Sequence, residues 1–224
     1  MKKPFVIAID GASSTGKSTL AKGLAKALGF VYVDSGAMYR GVTLYAQQNH
    51  WLSSNHFDQD TLIANLDDIQ LTFKNNKLVL NGIDVSKEIR SMTVSNAVSQ
   101  VATVSAVRSF LVAQQHAIGT KHSVVMDGRD IGTVVFPNAD VKLFLTADAN
   151  IRAQRRYDEL KNVDPNVTLD AILENITQRD HIDSTRADSP LVQATDAITI
   201  NASDFDITEL QNYVLKLVEK QLRS

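Results

Sequence analysis

The segment from Gly11 to Ser18, GASSTGKS, limits most strongly how this chain can fold, because it fits the pattern G-x-x-x-x-G-K-[ST]. The apolar run at residues 5–9 predicts a buried strand before it, and residues 19–28 predict a helix after it that ends at Gly29. Glycines let such a loop turn tightly, so that successive backbone N–H groups surround phosphate oxygens. This strand–loop–helix unit predicts an α/β fold that binds a nucleoside triphosphate.

The side chains of this loop predict how the triphosphate is held. Lys17 is expected to bridge the β- and γ-phosphates, and the Ser18 hydroxyl is the expected ligand of Mg²⁺. The residues predicted to bind the triphosphate are Gly11, Ala12, Ser13, Ser14, Thr15, Gly16, Lys17, Ser18 and Thr19. An ordinary glycine-rich turn with a chance lysine is the alternative, and the flanking strand and helix argue against it.

Composition excludes several classes of protein. With 224 residues the chain is predicted to be one domain with an insertion, and its net charge of −2 argues against binding of nucleic acid polymers. The absence of cysteine excludes disulfides, thiolate metal sites and a cysteine nucleophile. The N-terminal apolar run predicts a strand rather than a signal peptide, and no stretch approaches transmembrane length. We therefore expect a cytoplasmic monomer with small-molecule partners and no membrane contact.

Strand-like and helix-like segments alternate through most of the chain. Further strands are predicted at residues 31–33, 123–126, 141–145 and 197–200. This alternation predicts a parallel sheet covered by helices on both faces, with ligands at the carboxyl ends of the strands. Residues 69–85 differ, because asparagine-containing turns at 75–76 and 81–82 separate short runs and predict a small inserted antiparallel sheet.

Arginine placement gives a second indication of function. Six of the ten arginines lie between residues 129 and 186, and helical spacing puts five of them on two faces. One face carries Arg152, Arg155 and Arg156, and the other carries Arg179, Asp183 and Arg186. Arginine suits the clamping of phosphoryl groups and the stabilisation of charge during their transfer. Solvated helix faces with ion pairs are the alternative, and the nearby phosphate loop favours the clamp.

Two classes of function fit a triphosphate-binding loop. A small-molecule kinase would carry a second site for a phosphoryl acceptor, whereas a nucleotide switch would act through partner binding. Switches of the GTPase type usually contain Asp-x-x-Gly and Asn-Lys-x-Asp elements, and neither pattern occurs in this chain. Arginine clamps supplied within the chain also suit a kinase, which stabilises its own transition state. The kinase interpretation is therefore preferred.

The chain resembles the bacterial cytidylate (CMP/dCMP) kinases of the nucleoside monophosphate kinase group. Besides the phosphate loop, the matching segments are Ile9-Asp-Gly11, Asp34-Ser-Gly-Ala-Met-Tyr-Arg40, Asn81-Gly-Ile-Asp-Val-Ser86, Glu88-Ile-Arg90, Ser95-Asn-Ala-Val-Ser-Gln-Val101 with Arg108, Asp127-Gly-Arg-Asp-Ile-Gly-Thr-Val-Val-Phe-Pro137, Arg179-Asp180 with Asp183, Arg186 and Ser189-Pro-Leu191. They occur in the family's order and cover nearly the whole chain.

The resemblance implies a fold and a reaction. It implies a P-loop core at residues 1–57, 91–150 and 168–224, an inserted monophosphate-binding region at 58–90, and a lid at 151–167. ATP with Mg²⁺ would donate its γ-phosphoryl group to the 5′-phosphate of CMP or dCMP, without a covalent enzyme intermediate. A monophosphate kinase of different base preference remains an alternative, as does, remotely, a nucleotide switch without acceptor chemistry.

The resemblance also implies roles for individual residues. Ser35, Arg40, Arg129 and Arg186 would hold the acceptor phosphate, and Ser99, Arg108 and Asp130 would read the cytosine edge. Asp183 with Arg179 would contact the sugar, and the lid face with Arg152, Arg155 and Arg156 would close on the transferred group at the ATP. The residues expected to act on the reacting phosphates are Lys17, Arg129, Arg156 and Arg186.

One geometric test follows from these assignments. Ser99 and Arg108 are nine residues apart, so a straight α-helix would turn them roughly 180° from each other. Both can face one base only if the helix breaks between them. Residues 103–105 are the predicted break, with Ser105 as a new N-cap.

Overall fold

The computed structural model describes residues 3–161 and 166–223 of the chain. The strands are β1 (Val6–Gly11), β2 (Val31–Asp34), β3 (Leu71–Lys74), β4 (Lys77–Leu80), β5 (Ile83–Asp84), β6 (Val124–Gly128), β7 (Val141–Thr146) and β8 (Ile198–Asn201). The α-helices are α1 (Lys17–Leu28), α2 (Ser35–Gln48), α3 (Gln59–Ala64), α4 (Met92–Val101), α5 (Ser105–Gly119), α6 (Ala149–Leu160), α7 (Leu169–Thr185) and α8 (Ile207–Arg223). The chain divides into two compact units, one of Met1–Tyr32 with Ile118–Ser224 and one of Val33–Ala117.

A five-stranded sheet with the order β2-β6-β1-β7-β8 organises the first unit. The central strand β1 pairs in parallel with β6 on one side and β7 on the other, and β8 continues the sheet in parallel beside β7. Every residue of β1 is buried, which explains why this strand is an unbroken apolar run up to Asp10. The predicted α/β fold with a parallel sheet is confirmed.

The apolar core of the first unit lies on one face of this sheet. Ile9 of β1 and Leu143 of β7 pack there against Leu24 of α1 and Val214 of α8 in one continuous cluster. Buried residues of α8 recur at positions 210, 214 and 218, so one stripe of this amphipathic helix covers the sheet. Burial of each such side chain contributes about 1.5–3 kcal/mol to folding. The cluster holds the carboxyl ends of β1 and β7 in a rigid frame.

Two glycines set the geometry of the loop between β1 and α1. Gly11 has φ 147°, and a Cβ at this position would overlap the backbone carbonyl oxygen of Leu145 on β7. Gly16 has φ 96° in the left-handed region and stands at the N-cap of α1. The helix ends as predicted at Gly29, whose φ is 69° and whose N–H donates to the Ala25 carbonyl. Close approach and turning at these positions exclude larger side chains.

The second unit contains the predicted antiparallel sheet, in the order β3-β4-β5. Asn75 and Asn76 join β3 to β4 with φ 51° and 61°, values that suit a tight hairpin turn with the twist of the strands. Asn81 and Gly82 join β4 to β5, again with positive φ. The short helix α3 begins after Asp58, whose carboxylate accepts from the Thr61 N–H at 3.0 Å as a cap.

The predicted helix break is confirmed, with a correction of its cap. α4 ends at Val101 and α5 begins at Ser105, so Ala102, Thr103 and Val104 separate the two helices. The N–H of Arg108 donates to the Val104 carbonyl at 3.1 Å, which makes Ser105 the first helical residue rather than the predicted N-cap. The sequence pattern of a serine at the N-cap and of a serine in the first turn is the same. It therefore does not distinguish these two positions for Ser105.

Two sequence predictions are not decided by these elements. Part of the predicted lid at 151–167 lies outside the described residues, and the predicted division into core, insertion and lid stays a prediction. Among the helices that the structure describes, none is long and apolar enough to cross a membrane.

Candidate active site

The phosphate loop occupies the predicted position at the carboxyl end of β1. Its glycines and serines turn the backbone into the N-terminus of α1, where Lys17, Ser18 and Thr19 form the first turn. The Lys17 ammonium is only 5% exposed and donates to the Ala12 carbonyl at 2.6 Å. The loop therefore presents helix N–H groups and a lysine charge together, the arrangement that binds phosphate.

The hydroxyl of Ser18 is aligned by a carboxylate on the neighbouring strand. Ser18 Oγ donates to Asp127 Oδ2 at 2.7 Å, and the Tyr32 hydroxyl donates to Asp127 Oδ1 at 2.9 Å. Asp127 is buried at the carboxyl end of β6, and each of its oxygens accepts one of these two hydroxyl groups. The sequence analysis assigned no role to Tyr32, because its partner lies 95 residues away in the chain.

The oxygen donors around Ser18 fit a magnesium ion. Mg²⁺ prefers oxygen ligands and is usually held by one or two protein groups together with substrate phosphates and water. Within residues 3–161 and 166–223 no cluster of three or more His, Cys, Asp or Glu is arranged to hold a metal. The Ser18 hydroxyl beside the Asp127 carboxylate is an oxygen group of the kind that Mg²⁺ prefers, and its role as a metal ligand stays a prediction.

Two of the three predicted arginines on α6 reach the phosphate loop. Arg152 is buried, and its Nη1 donates to the Ser13 carbonyl at 3.2 Å and to Asp180 Oδ2 of α7 at 2.6 Å. Arg155 Nη1 donates to the Thr15 carbonyl at 3.4 Å. Both guanidinium groups thus tie α6 to the loop through its backbone.

Arg156 has a different described partner. Its Nη1 forms an ion pair with Glu159 Oε2 at 3.0 Å, one turn further along α6. Helical spacing predicts one shared face for the three arginines. In the structure, Arg152 and Arg155 contact the phosphate loop, whereas Arg156 forms its ion pair with Glu159 of the same helix. The expected role of Arg156 at the reacting phosphate stays a prediction.

Four predicted acceptor residues meet in one buried cluster of the first unit. Arg129 Nε donates to Asp183 Oδ2 at 2.9 Å, and Arg186 Nη1 lies 3.8 Å from Asp183 Oδ1. Arg186 Nη2 lies 3.9 Å from Asp130 Oδ1 and donates to the Ser189 carbonyl at 2.6 Å. These residues come from the end of β6 and from the end of α7, so the tertiary fold brings together segments more than fifty residues apart.

Electrostatics keep the centre of this cluster ionised. Burial acts to raise the pKa of Asp183, but the charges of Arg129, Arg179 and Arg186 outweigh it and hold that pKa below its ordinary value. Arg179, which the sequence analysis paired with Asp183, therefore acts on it through its charge. A carboxylate held between fixed guanidinium groups keeps their positions defined and leaves them positively charged toward a phosphate.

A second buried carboxylate, Asp10, lies at the end of β1. Its Oδ1 accepts from the Ile131 N–H at 2.8 Å, and its Oδ2 accepts from the Gly132 N–H at 2.7 Å. Burial is the main reason that the pKa of Asp10 rises from 3.8 to about 6. The motif Ile9-Asp-Gly11 contains this residue but assigns it no role. A charged residue ending a buried apolar strand was the signal that pointed to it.

The carboxylates of Asp127 and Asp10 project from opposite faces of the sheet. Ile9 is paired in register with Asp127, whereas Ala8 is paired with Lys142, and side chains alternate along a strand. Asp127 therefore shares the α1 face with Ile9, where it meets Ser18, and Asp10 shares the opposite face with Lys142. One carboxylate serves the phosphate loop and the other serves residues 131–132.

In the second unit, helix α2 carries two of the predicted site residues, Ser35 and Arg40. Ser35 is its first residue and is buried, while Asp34 caps the helix by accepting from the Ala37 N–H at 2.7 Å. Arg40 Nη2 donates to both oxygens of Asp34, at 3.3 Å and 3.1 Å, which fixes its guanidinium near the same helix start. A helix N-terminus beside an arginine is a suitable environment for a phosphate group.

The helix break positions Arg108. Its Nη1 donates to the Ala102 carbonyl at 3.3 Å, and its guanidinium lies 5.5 Å from the ring centre of Tyr39. Arg108 is only 2% exposed, and Ser99 of α4 is buried as well. The break therefore supplies a carbonyl partner for a buried guanidinium, and the aromatic ring adds a cation–π contact.

Comparisons with known proteins show the family to which this chain belongs. The family model described as Cytidylate kinase matches residues 7–220. A cytidylate kinase of Flavobacterium psychrophilum is 53% identical over 222 residues, covering 96% of this chain and 98% of that protein. A cytidylate kinase of Bacteroides fragilis is 46% identical over 228 residues, covering 99% of this chain and 100% of that protein.

Among solved structures, an uncharacterized protein from Eubacterium ventriosum has a similar fold. Its TM-score is 0.54 at 14% identity, and the match covers 97% of this chain and 99% of that one. This likeness concerns the fold alone. The family match and the two curated relatives extend over almost the whole length, and the chain belongs to the cytidylate kinase family.

Proposed function

We propose that this protein is a phosphotransferase that transfers the γ-phosphoryl group of ATP to CMP and dCMP, giving ADP and the nucleoside diphosphate. Membership of the cytidylate kinase family supports the acceptor. The observation that carries the mechanism is the buried cluster of Arg129, Asp183, Arg186 and Asp130 in the same unit as the phosphate loop. A nucleotide switch needs no such cluster of guanidinium groups.

The proposed donor site is the phosphate loop. Backbone N–H groups of residues 11–16 and the N-terminus of α1 surround the phosphates, and Lys17 neutralises the β- and γ-phosphates. Arg152 and Arg155 hold the loop from α6 through the carbonyls of Ser13 and Thr15. Mg²⁺, held by the Ser18 hydroxyl, supplies charge neutralisation across the phosphates when it is bound.

Each proposed acceptor residue is assigned to the phosphate, the base or the sugar of the nucleotide. In the first unit, Arg129 and Arg186 bind the acceptor phosphate, Asp130 reads the base, and Asp183 with Arg179 contacts the sugar. In the second unit, Ser35 and Arg40 bind the phosphate, and Ser99 and Arg108 read the base. Burial of Arg186 supports the proposal, because a desolvated guanidinium group binds phosphate more strongly than an exposed one.

The proposed chemistry is a direct displacement. An oxygen of the 5′-phosphate of the acceptor attacks the γ-phosphorus, and the bond from this phosphorus to the β–γ bridging oxygen breaks, with ADP as the leaving group. Lys17, Arg129, Arg156 and Arg186 neutralise charge on the transferred group, and no enzyme side chain becomes phosphorylated. Catalysis then consists of positioning and electrostatic stabilisation.

The proposal also includes a monomeric state and a cytoplasmic location. Gel filtration with light scattering would measure the first, and fractionation of cells would measure the second.

A coupled assay that follows ADP formation tests the proposed reaction. CMP, dCMP, UMP and AMP are compared as acceptors at the same ATP and Mg²⁺ concentrations. We expect the highest kcat/KM for CMP and dCMP. Efficient phosphorylation of AMP with none of CMP would favour the alternative monophosphate kinase. ATP binding without transfer to any acceptor would favour the nucleotide switch.

A further inference from the structure

We propose that Asp10 is a positioning residue for the acceptor nucleotide, because its carboxylate fixes the backbone turn that carries Arg129 and Asp130. This inference rests on the proposed function, in which those two side chains contact the acceptor. Asp10 itself touches neither reacting phosphate in this scheme. It acts through the backbone of residues 131–132.

The contact between Asp10 and the turn is specific in geometry. Each carboxylate oxygen accepts one backbone N–H, at 2.8 Å from Ile131 and 2.7 Å from Gly132. Two consecutive N–H groups on one carboxylate fix both the distance and the orientation of that peptide segment. The side chain is 4% exposed, so water does not compete for these bonds.

The turn held in this way directly follows the acceptor residues. Residues Ile131–Val135 form one π-helical turn, and Asp130 stands at its start. The Asp130 carbonyl accepts from the N–H groups of Val134 and Val135, at 2.9 Å and 3.1 Å, so the peptide of Asp130 belongs to the same rigid unit. A shift of this turn therefore displaces Asp130 and its neighbour Arg129.

Asp10 and Lys142 together hold the two ends of this turn. A Cβ on Gly132 would lie 3.3 Å from Asp10 Oδ2 and 3.2 Å from Lys142 Cδ. The Lys142 ammonium donates to the Pro137 carbonyl at 2.6 Å and forms an ion pair with Asp196 at 2.8 Å. Lys142 thus holds the chain after the π-helical turn, and Asp10 holds its first residues.

The cost of burying Asp10 favours a functional reason for this residue. An apolar side chain would fill the end of a buried strand without desolvation of a charge. The pKa of Asp10 is raised to about 6, first by burial and further by the charge of Asp130, while the two backbone N–H groups and Lys17 act against the rise. The carboxyl group is therefore ionised at neutral pH, where both of its oxygens accept.

The variant Asp10→Asn tests the inference with almost no change in shape. An asparagine keeps one oxygen acceptor but turns an NH₂ group toward the second N–H, so one of the two bonds is lost. We expect KM for CMP to rise roughly tenfold to a hundredfold, since small displacements of positioning groups have effects of this size. KM for ATP should stay within about twofold, because the phosphate loop is held by other contacts.

Asp140→Asn is the matched control. Asp140 Oδ2 accepts from the Val6 N–H at 2.8 Å, at the other end of β1, and it has no part in the proposed site. A general weakening of β1 would alter both variants alike. We expect this control to keep the KM for CMP of the unmodified protein.

Amide hydrogen exchange provides a readout that does not depend on activity. Exchange at Ile131 or Gly132, whichever amide loses its acceptor, should be faster in Asp10→Asn than in the control. Should Asp10→Asn fail to fold, Gly132→Ala provides a second test, because its Cβ would lie 3.3 Å from Asp10 Oδ2 and would crowd this carboxylate while its charge remains. We expect KM for CMP to rise in this variant as well.

The outcomes separate this inference from the proposed function. An unchanged KM for CMP in Asp10→Asn, or unchanged exchange at both amides, overturns the positioning role. Failure of the unmodified protein to phosphorylate CMP overturns the proposed function and, with it, the assignment of an acceptor to this turn. A rise in KM for CMP in both aspartate variants also overturns the inference, since it would show a general effect of β1.

Discussion

Replacing Asp10 by asparagine should change how the stability of the protein depends on pH. The carboxyl group has a pKa of about 6 in the folded protein and 3.8 when exposed, as in an unfolded chain. Below pH 3.8 it is protonated in both states. Between the two pKa values the unfolded chain releases the proton while the folded protein keeps it, so the stability contributed by Asp10 falls as pH rises.

The magnitude follows from the difference between the two pKa values. About 2.2 pH units at 1.36 kcal/mol each correspond to about 3 kcal/mol of unfolding free energy, lost progressively up to about pH 6. About 2 kcal/mol of this falls between pH 4.5 and 7. Asparagine does not titrate, so this contribution is absent from the variant.

Urea unfolding of both proteins at pH 4.5, 5.5, 6.5 and 7 measures the effect. Other titrating groups are common to the two proteins, so their contributions cancel in the difference between the unfolding free energies. We expect the unmodified protein to lose about 2 kcal/mol relative to Asp10→Asn as pH rises from 4.5 to 7. Parallel stability curves, or a difference of the opposite sign, would refute the assignment of a raised pKa to this carboxyl group.

Three further variants give independent tests. Gly11→Ala should lower the unfolding free energy by about 2 kcal/mol or more, measured by urea unfolding, because its Cβ would overlap the Leu145 carbonyl; a loss below about 0.5 kcal/mol would contradict this close approach. Asp183→Asn should be less stable than the unmodified protein at pH 7, and this deficit should shrink below about pH 4, because a lowered pKa contributes stability that is lost as pH falls; a deficit independent of pH would contradict the ionised cluster. Arg108→Met should raise KM for CMP while KM for ATP stays unchanged in the coupled assay, because the guanidinium is the proposed base contact; equal KM values for CMP would remove Arg108 from that role.

Much of the local structure was predictable from short segments of sequence. The phosphate loop, the end of α1 at Gly29, the hairpin at Asn75 and Asn76 and the break before Ser105 all depend on neighbouring residues. Glycine and asparagine tolerate positive φ, and the apolar periodicity distinguishes strand from helix. These preferences act within a few residues, so they are visible without the fold.

Other features depended on partners that are far away in the chain. The π-helical turn Ile131–Val135 was not predicted. Its first two residues are held by the carboxylate of Asp10, which lies more than 120 residues earlier in the chain. The ion pair of Arg156 with Glu159 was also not predicted from the helix face that Arg156 shares with Arg152 and Arg155. Helical spacing predicts which side chains share a face, but it does not predict with which residue each side chain forms a hydrogen bond or ion pair.

The sequence alone determined the class of fold, the phosphate loop and the residue types for phosphoryl transfer, because local propensity and motif spacing encode them. Only the tertiary structure decided which carboxylate serves which side of the sheet. Alternation along paired strands directs Asp127 to Ser18 and Asp10 to the turn after Asp130. That division depends on the register of β1 with β6 and β7, and register is a property of strand pairing rather than of any single segment.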